Sequence, residues 1–363
     1  MKLVLNNIVF SQQKAGGISL LWSEIIKYIL HNNIECLFVN YDGCDQNIYY
    51  KEIEIANTEV QHYKFNRILS LIPKRLKTLN NERYINLSSD YNICRANNIG
   101  NAIIIHDFIN EIYENRIFIR LFKKFYKKRA IFLSDAIICV SENTRKDLIK
   151  LYPEIDLNKI HVVYNCVSSD YRALSEGEDV REKVFFNKYA LFVGRRKGYK
   201  NFNIVVEALS RYTEINLVVI GGGELSIKEH AYLDVKIGVH RYIQYTGINN
   251  IKLNSLYNGA YSLIYPSEYE GFGIPIIEAQ AAGCPVITAK NSSLEEVGGL
   301  GCVYLDDNTP DSIELALKQL ENIDFKKQII LLGLKNAQKY TPDIMAMRYM
   351  SICQDIFNKR FLY

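Results

Sequence analysis

Apolar residues in this chain gather in short blocks, and most blocks lead through a polar turn into a longer stretch with apolar positions at helical spacing. In the first half, Leu3–Phe10, the stretch near Glu35–Asn40, Ala102–Ile105, Ile137–Val140 and His161–Tyr164 read as strands. Ile18–Leu30 and Glu142–Leu151 read as helices, the second opened by Ser141 as its N-cap. The second half repeats the alternation with Tyr189–Val193, Asn216–Ile220, Tyr242–Thr246, Tyr261–Tyr265, Val286–Thr288 and Cys302–Leu305. Strands separated by helical runs predict parallel βαβ units. The expected fold class is α/β, with two Rossmann-like doubly wound domains. From Ser168 to Asn187 polar and charged residues dominate (SSDYRALSEGEDVREK), as in an interdomain linker. The expected boundaries are 1–168, a linker over 169–187, a second domain over 188–340, and 341–363 as a terminal segment with helical periodicity from Asp343 to Phe357. Between Asp42 and Tyr91 the pattern is too poor to place elements.

Length and composition fit this picture. A chain of 363 residues suits two domains, and 48% hydrophobic residues suit a full core. A net charge of +4 is too small to argue for nucleic acid as a partner. The eight cysteines show no Cys-x-x-Cys pair and no Cys/His cluster at zinc spacing, as expected of reduced thiols in the cytoplasm. In the opening MKLVLNNIVFSQQK, Asn6, Asn7, Gln12 and Gln13 break the apolar burst too early for a signal peptide. No apolar run approaches the roughly 20 residues of a membrane span, so a soluble protein is expected. Two segments bear on membrane contact. His62–Leu79 carries Lys64, Arg67, Lys74, Arg75 and Lys77 among apolar residues, and Pro73 divides it into two helical pieces at best. Lys123, Lys124, Lys127, Lys128 and Arg129 are interleaved with Phe122, Phe125 and Tyr126. A solvated face is the favoured reading, and peripheral contact with the cytoplasmic face of the inner membrane is the alternative.

Candidate chemistry lies at the strand ends. Gly16 and Gly17 stand between the first strand and a helix, which fits either a plain tight turn or an anion-binding one. His106-Asp107 ends Ala102–Ile105, and open α/β sheets bind ligands at the carboxyl ends of their strands. A structural histidine is the competing reading. The loop Gly194-Arg195-Arg196-Lys197-Gly198-Tyr199-Lys200-Asn201 ends the first strand of the second half. Arg195 and Lys200 stand across a glycine-containing turn, and an arginine fork with an ammonium suits a diphosphate. A solvated charge run is the alternative. Gly221-Gly222-Gly223 lacks the spacing of a dinucleotide loop.

The most informative stretch is Tyr265–Ile287, YPSEYEGFGIPIIEAQAAGCPVI. Pro266 stops a strand, Gly271 and Gly273 let the main chain approach a ligand, Pro275 opens a short helix and Gly283 ends it. The free N–H groups at that helix start suit an anion or sugar oxygens. Glu270 at the lip of the loop and Glu278 about one turn into the helix offer two carboxylates to two sets of hydroxyls, with plain surface charges as the alternative. Ser292, Ser293, Glu295 and Glu296 follow, either near a ligand or as a helix cap with first-turn acids.

The ungapped string EGFGIPIIEAQAAGCPVI resembles the donor-site signature of the retaining glycosyltransferases called group 1, or family 4, which have the GT-B fold. The resemblance covers nearly the whole second half and, more loosely, the strand ends of the first. It implies two Rossmann-like domains facing a central cleft, with the last helix bracing the first domain. It also implies transfer of a hexosyl group, mannosyl included, from a nucleotide-diphosphate sugar to a glycan or lipid-linked acceptor. The expected setting is synthesis of a bacterial surface polysaccharide, lipopolysaccharide O-antigen or capsule. By the same resemblance Arg195 and Lys200 clamp the donor diphosphate, and Arg196 and Lys197 are alternatives to the favoured Arg195. Glu270 holds sugar hydroxyls with the N–H groups of Phe272, Gly273 and Ile274, and Glu278 holds the ribose. His106 lies near the transferred sugar or acceptor, and Gly16 and Gly17 approach the diphosphate and acceptor. No cofactor or metal is expected, because Arg195, Lys200 and the helix start at Ile274 can meet the charge on the leaving diphosphate. Same-face attack is expected, with a covalent route as the alternative. A nucleotide-sugar epimerase of the same fold and a non-catalytic sugar-nucleotide binding protein are the rival functions.

Overall fold

The computed structural model describes residues 1–53, 59–64, 82–113, 117–175, 178, 187–196 and 198–362. They form two compact units, Met1–Cys166 with Pro342–Tyr363, and Val167–Thr341. Residues 65–79 of the basic segment expected over His62–Leu79, and most of the linker expected over 169–187, lie outside the described residues.

A parallel sheet organises the first unit. Its strands are β1 (Lys2–Asn6), β2 (Cys36–Tyr41), β3 (Glu59–Tyr63), β4 (Tyr84–Ser88), β5 (Ile99–Ile105), β6 (Ala136–Cys139) and β7 (Ile160–Val162), in the order β3-β2-β1-β4-β5-β6-β7. The first strand stops at Asn6 instead of running to Phe10. Asn6 Oδ1 accepts from the Ile8 N–H at 3.3 Å and turns the chain into a short helix, Ile8–Gln12. Asn7 is fixed by the Trp22 indole at 2.7 Å and by Asn40 at 2.8 Å, so the polar pair that interrupts the apolar run is a buried anchor. β3 escaped the sequence reading because EVQHY, at the sheet edge, is largely polar and partly exposed. The C-terminal helix Pro342–Phe361 packs on the helix Gly17–His31 and on β4 and β5, with Arg360 paired to Asp135 at 2.8 Å.

The second unit holds β8 (Tyr189–Val193), β9 (Asn216–Ile220), β10 (Tyr242–Tyr245), β11 (Ser262–Tyr265), β12 (Val286–Ala289) and β13 (Cys302–Leu305), all parallel, in the order β10-β9-β8-β11-β12-β13. The winding direction reverses between β8 and β11. At such a reversal neighbouring loops diverge and leave a crevice beyond the carboxyl ends of the strands. The start of the expected linker is already part of this unit, since the N–H groups of Arg172 and Leu174 donate to Asn254 and Asn258 at 3.1 and 2.9 Å. On the far side, the helix Ile323–Ala337 presses its Gly333 against Gly301, where an added Cβ would stand 2.4 Å from the Gly333 Cα. Backbone cannot swing away as a side chain can, so Gly301→Ala should cost about 1–3 kcal/mol of stability, read as a lower denaturant midpoint at unchanged slope.

Candidate active site

Three loops of the second unit, following β8, β11 and the next strand β12, are laced together at the reversal point. Pro266 ends the β11 ladder because it has no N–H to give. Its carbonyl accepts from Asn201 Nδ2 at 3.1 Å, and the Glu268 N–H donates to the Tyr199 carbonyl at 2.7 Å. From the β12 side, Ser292 Oγ accepts from the Glu270 N–H at 3.1 Å, and Ser293 Oγ donates to the Glu270 carbonyl at 2.9 Å. Glu270 is thus fixed by both of its main-chain groups. Ser293 precedes the helix Leu294–Gly298 but makes no side-chain cap bond, so its hydroxyl serves Glu270 instead.

The side chains held by these loops form a compact charged set. Lys200 Nζ pairs with Glu270 Oε1 and donates to Tyr265 Oη at 2.6 Å, while Tyr265 Oη donates to the same carboxylate oxygen at 2.8 Å. The Lys200 and Glu270 side chains are only 12% and 10% exposed. Burial, followed by the Glu270 charge, pushes the Tyr265 phenol well above its ordinary range, so it stays protonated and keeps donating. An ammonium has three donors. Two are used here, which leaves one for a ligand. Tyr265, Ser292 and Ser293 as partners of Glu270 were missed in the sequence reading of the set. Tyr265 passed for an ordinary strand aromatic, and its position beside Pro266 was the only signal.

The neighbouring arginines divide their duties. Arg196 is buried and spent on structure, with Nε on Glu229 at 2.9 Å, Nη1 on the carbonyls of Gly221 and Gly223 at 2.8 and 3.0 Å, and Nη2 on the Glu224 carbonyl at 3.0 Å. That hydrogen bonding, led by Arg196 and supported by Ser226, holds the Glu229 carboxyl down near 2. Arg195 is exposed and makes no ion pair among the described residues. Lys197 lies outside them.

Gly273, and not Gly271, takes the left-handed backbone, with φ +92. It opens the helix Ile274–Ala281, and a Cβ there would fall 2.9 Å from Leu294 Cδ2. Phe272 points its ring inward against Tyr340, 5.7 Å between centroids, so it can offer a ligand only main chain. Glu278 is not a surface charge. It is 6% exposed, and Tyr257 Oη donates to it at 3.1 Å, with the Tyr171 hydroxyl also bonded to it. Burial pushes its carboxyl up to about 7, against the downward pull of the two hydroxyls.

In the first unit, Gly16 is the N-cap of the helix Gly17–His31 and makes no side-chain cap bond, while Gly17 is exposed in its first turn. His106 follows β5, half-buried, with Nε2 3.1 Å from the Ser89 carbonyl. A carbonyl only accepts, so Nε2 carries the proton. Burial depresses the His106 pKa, Asp107 opposing, which keeps the ring neutral at pH 7. The expected basic surface cluster needs correction: Lys127 is buried and ion-paired to Glu111 at 3.0 Å, because the helix Ile117–Leu133 turns it inward. Lys124, Phe125 and Lys128 remain exposed. Among the described residues no three His, Cys, Asp or Glu side chains gather as a metal site, and no helix is long and apolar enough to cross a membrane.

The raised Glu278 pKa has a stability consequence. On raising the pH the unfolded chain ionises first, near 4.5, and the folded protein only near 7. Within that window the folded state holds a proton that the unfolded state has released, so stability falls as pH rises. Relative to Glu278→Gln, the parent protein should lose about 3 kcal/mol across the window, measured by denaturant melts at about pH 4.5 and about pH 7.5. Parallel curves for the two proteins would place the carboxyl in water.

Comparison with known proteins fits this geometry. Residues 178–337 match Glycosyl transferases group 1, and residues 89–171 match Glycosyltransferase Family 4. The chain is 29% identical over 228 residues to the O-antigen chain mannosyltransferase RfbU of Salmonella typhimurium, covering 61% of each chain. It is 29% identical over 216 residues to the O-antigen chain mannosyltransferase B of Escherichia coli, covering 56% of each. The chain therefore spans about six-tenths of the length of these curated relatives. Among solved structures, Anabaena Alr3699/HepE in complex with UDP-glucose superposes with a TM-score of 0.72 at 14% identity, over 99% of both chains. Two parallel-sheet units, the two matched domains and this likeness of fold agree: the chain belongs to the group 1, family 4 glycosyltransferases and has the GT-B fold.

Proposed function

We propose that this protein is a retaining, metal-independent hexosyltransferase. It takes a hexosyl group, mannosyl by our reading, from a nucleotide-diphosphate sugar to a glycan or lipid-linked acceptor of a bacterial surface polysaccharide, O-antigen or capsule. The observation that carries the reading is the buried Lys200–Glu270–Tyr265 set at the reversal point of a parallel sheet, with Glu278 on the adjoining helix. The two O-antigen mannosyltransferases among its relatives support the sugar and the setting. A structural neighbour bound to UDP-glucose supports a nucleotide-sugar donor.

The assigned chemistry begins with the donor diphosphate over the start of the helix Ile274–Ala281. Its negative charge meets the third donor of Lys200, the Arg195 guanidinium and main-chain N–H groups of Phe272, Gly273 and Ile274. Glu270 accepts from hydroxyls of the sugar, and Glu278 from those of the ribose. As the anomeric C–O bond breaks, the diphosphate leaves with the electron pair. The acceptor oxygen bonds the anomeric carbon from the same face and passes its proton to the departing phosphate. Gly16, Gly17 and His106 of the first unit contact the acceptor. We place the enzyme in the cytoplasm, with Lys124, Phe125 and Lys128 in peripheral contact with anionic lipid of the inner membrane.

A nucleotide-sugar panel read by thermal shift identifies the donor, after which two variants divide the site. Glu278→Gln should weaken the nucleoside diphosphate and the nucleotide-sugar equally, by roughly 1.5–3 kcal/mol in calorimetric titration. Glu270→Gln should leave nucleoside diphosphate binding nearly intact and lower turnover by at least about tenfold. Identical binding profiles for the two would reject this division of labour. Turnover should also survive excess EDTA, and a loss that magnesium or manganese restores would overturn the metal-independent assignment.

A further inference from the structure

The first unit buries a charge pair that the chemistry above leaves unused. Lys127, on the helix Ile117–Leu133, meets Glu111, on the short helix Ile109–Tyr113 that follows the turn after β5. Their side chains are 6% and 9% exposed. Lys127 Nζ also donates to the Asp107 carbonyl at 3.0 Å and lies over the rings of Phe108 at 3.9 Å and Tyr91 at 4.7 Å. Three of these four contacts fall on the segment leaving β5, and the fourth on the segment leaving β4. His106, next to Asp107, is tied from the other direction to the Ser89 carbonyl.

Desolvating an ammonium and a carboxylate costs more than packing apolar side chains of similar volume, so such a pair is weak evidence of stabilisation. Glu111 Oε2 is moreover buried without a hydrogen-bond partner among the described residues. What the pair does supply is direction, since an apolar side chain cannot aim at a carbonyl. We propose that Lys127 and Glu111 are positioning residues that fix the Asp107–Phe108 main chain and, through it, the His106 ring at the carboxyl end of β5. The link to catalysis rests on the reading that His106 meets the transferred sugar or acceptor.

The charged groups facing His106 are Asp107 and Asp90, which favour the imidazolium, and Lys127, which opposes it. Around Lys127 stand Glu111, Asp107 and Asp90, with Tyr91 and Cys139 close by. Removing the lysine charge should therefore move the His106 titration to higher pH. Lys127→Met leaves Glu111 buried and alone and risks misfolding, so the decisive protein is the double variant Lys127→Met/Glu111→Leu, which keeps the volume and removes both charges. Ring resonances of His106 in the full chain are followed by NMR against pH, alongside thermal melting and turnover of the nucleotide-sugar that the thermal-shift panel identifies. We expect a melting temperature within a few degrees of the parent, a raised His106 midpoint, displaced ring resonances of its neutral form, and turnover down by at least about tenfold. An unmoved His106 titration in the folded double variant overturns the proposal, whatever happens to turnover. A moved titration with the ring resonances of the neutral form unshifted reports the lost charge alone and overturns the positioning.

Discussion

The second unit depends on keeping a cation and an anion together out of water. Lys200 and Glu270 come from loops after different strands, and neither charge would be tolerated at this depth alone. Their pairing requires Tyr265 beneath them to stay protonated, Ser292 and Ser293 to grip the Glu270 main chain, and Asn201 to fix Pro266. Each of these partners sits at the end of a strand or the start of a helix, so the geometry of the charged set is inherited from the sheet. The left-handed turn at Gly273 then brings a helix start to the same place.

Glu278 illustrates the opposite arrangement. Among the described residues no cation pairs with it, and two tyrosine hydroxyls support it. A carboxyl held this way is poised between protonated and ionised forms near neutrality, whereas Glu270 is locked to a lysine. Two carboxylates a short helix apart thus differ in character because their neighbours differ, as expected where environment sets role.

Much of this was legible in the chain. The alternation of apolar blocks and helical runs marks the strands of the second unit almost residue for residue, because strands buried on both faces leave an unbroken apolar record. The Glu270–Ile287 string marks the site because its glycines, proline and carboxylates each answer a separate local demand. Three things were hidden. The edge strand β3 leaves little apolar trace, since only one side of it is paired. The inward turn of Lys127 depends on which face of its helix meets the sheet, and an aromatic-rich basic helix looks the same from either side. The division between Arg195 and Arg196 depends on a long-range meeting with Glu229 and the glycine turn after β9 that adjacency in sequence cannot reveal.

The return of the helix Pro342–Phe361 to the first unit has a consequence for synthesis. The second unit is contiguous, so all of its residues have left the ribosome before this helix emerges. The first unit is begun earliest and closed last: the faces of the Gly17–His31 helix, β4 and β5 that the helix covers stay open throughout translation of the intervening 167–341. A nascent chain whose emerged part ends just before residue 342 should thus carry a finished second unit and an unfinished first one, with apolar surface open to chaperones.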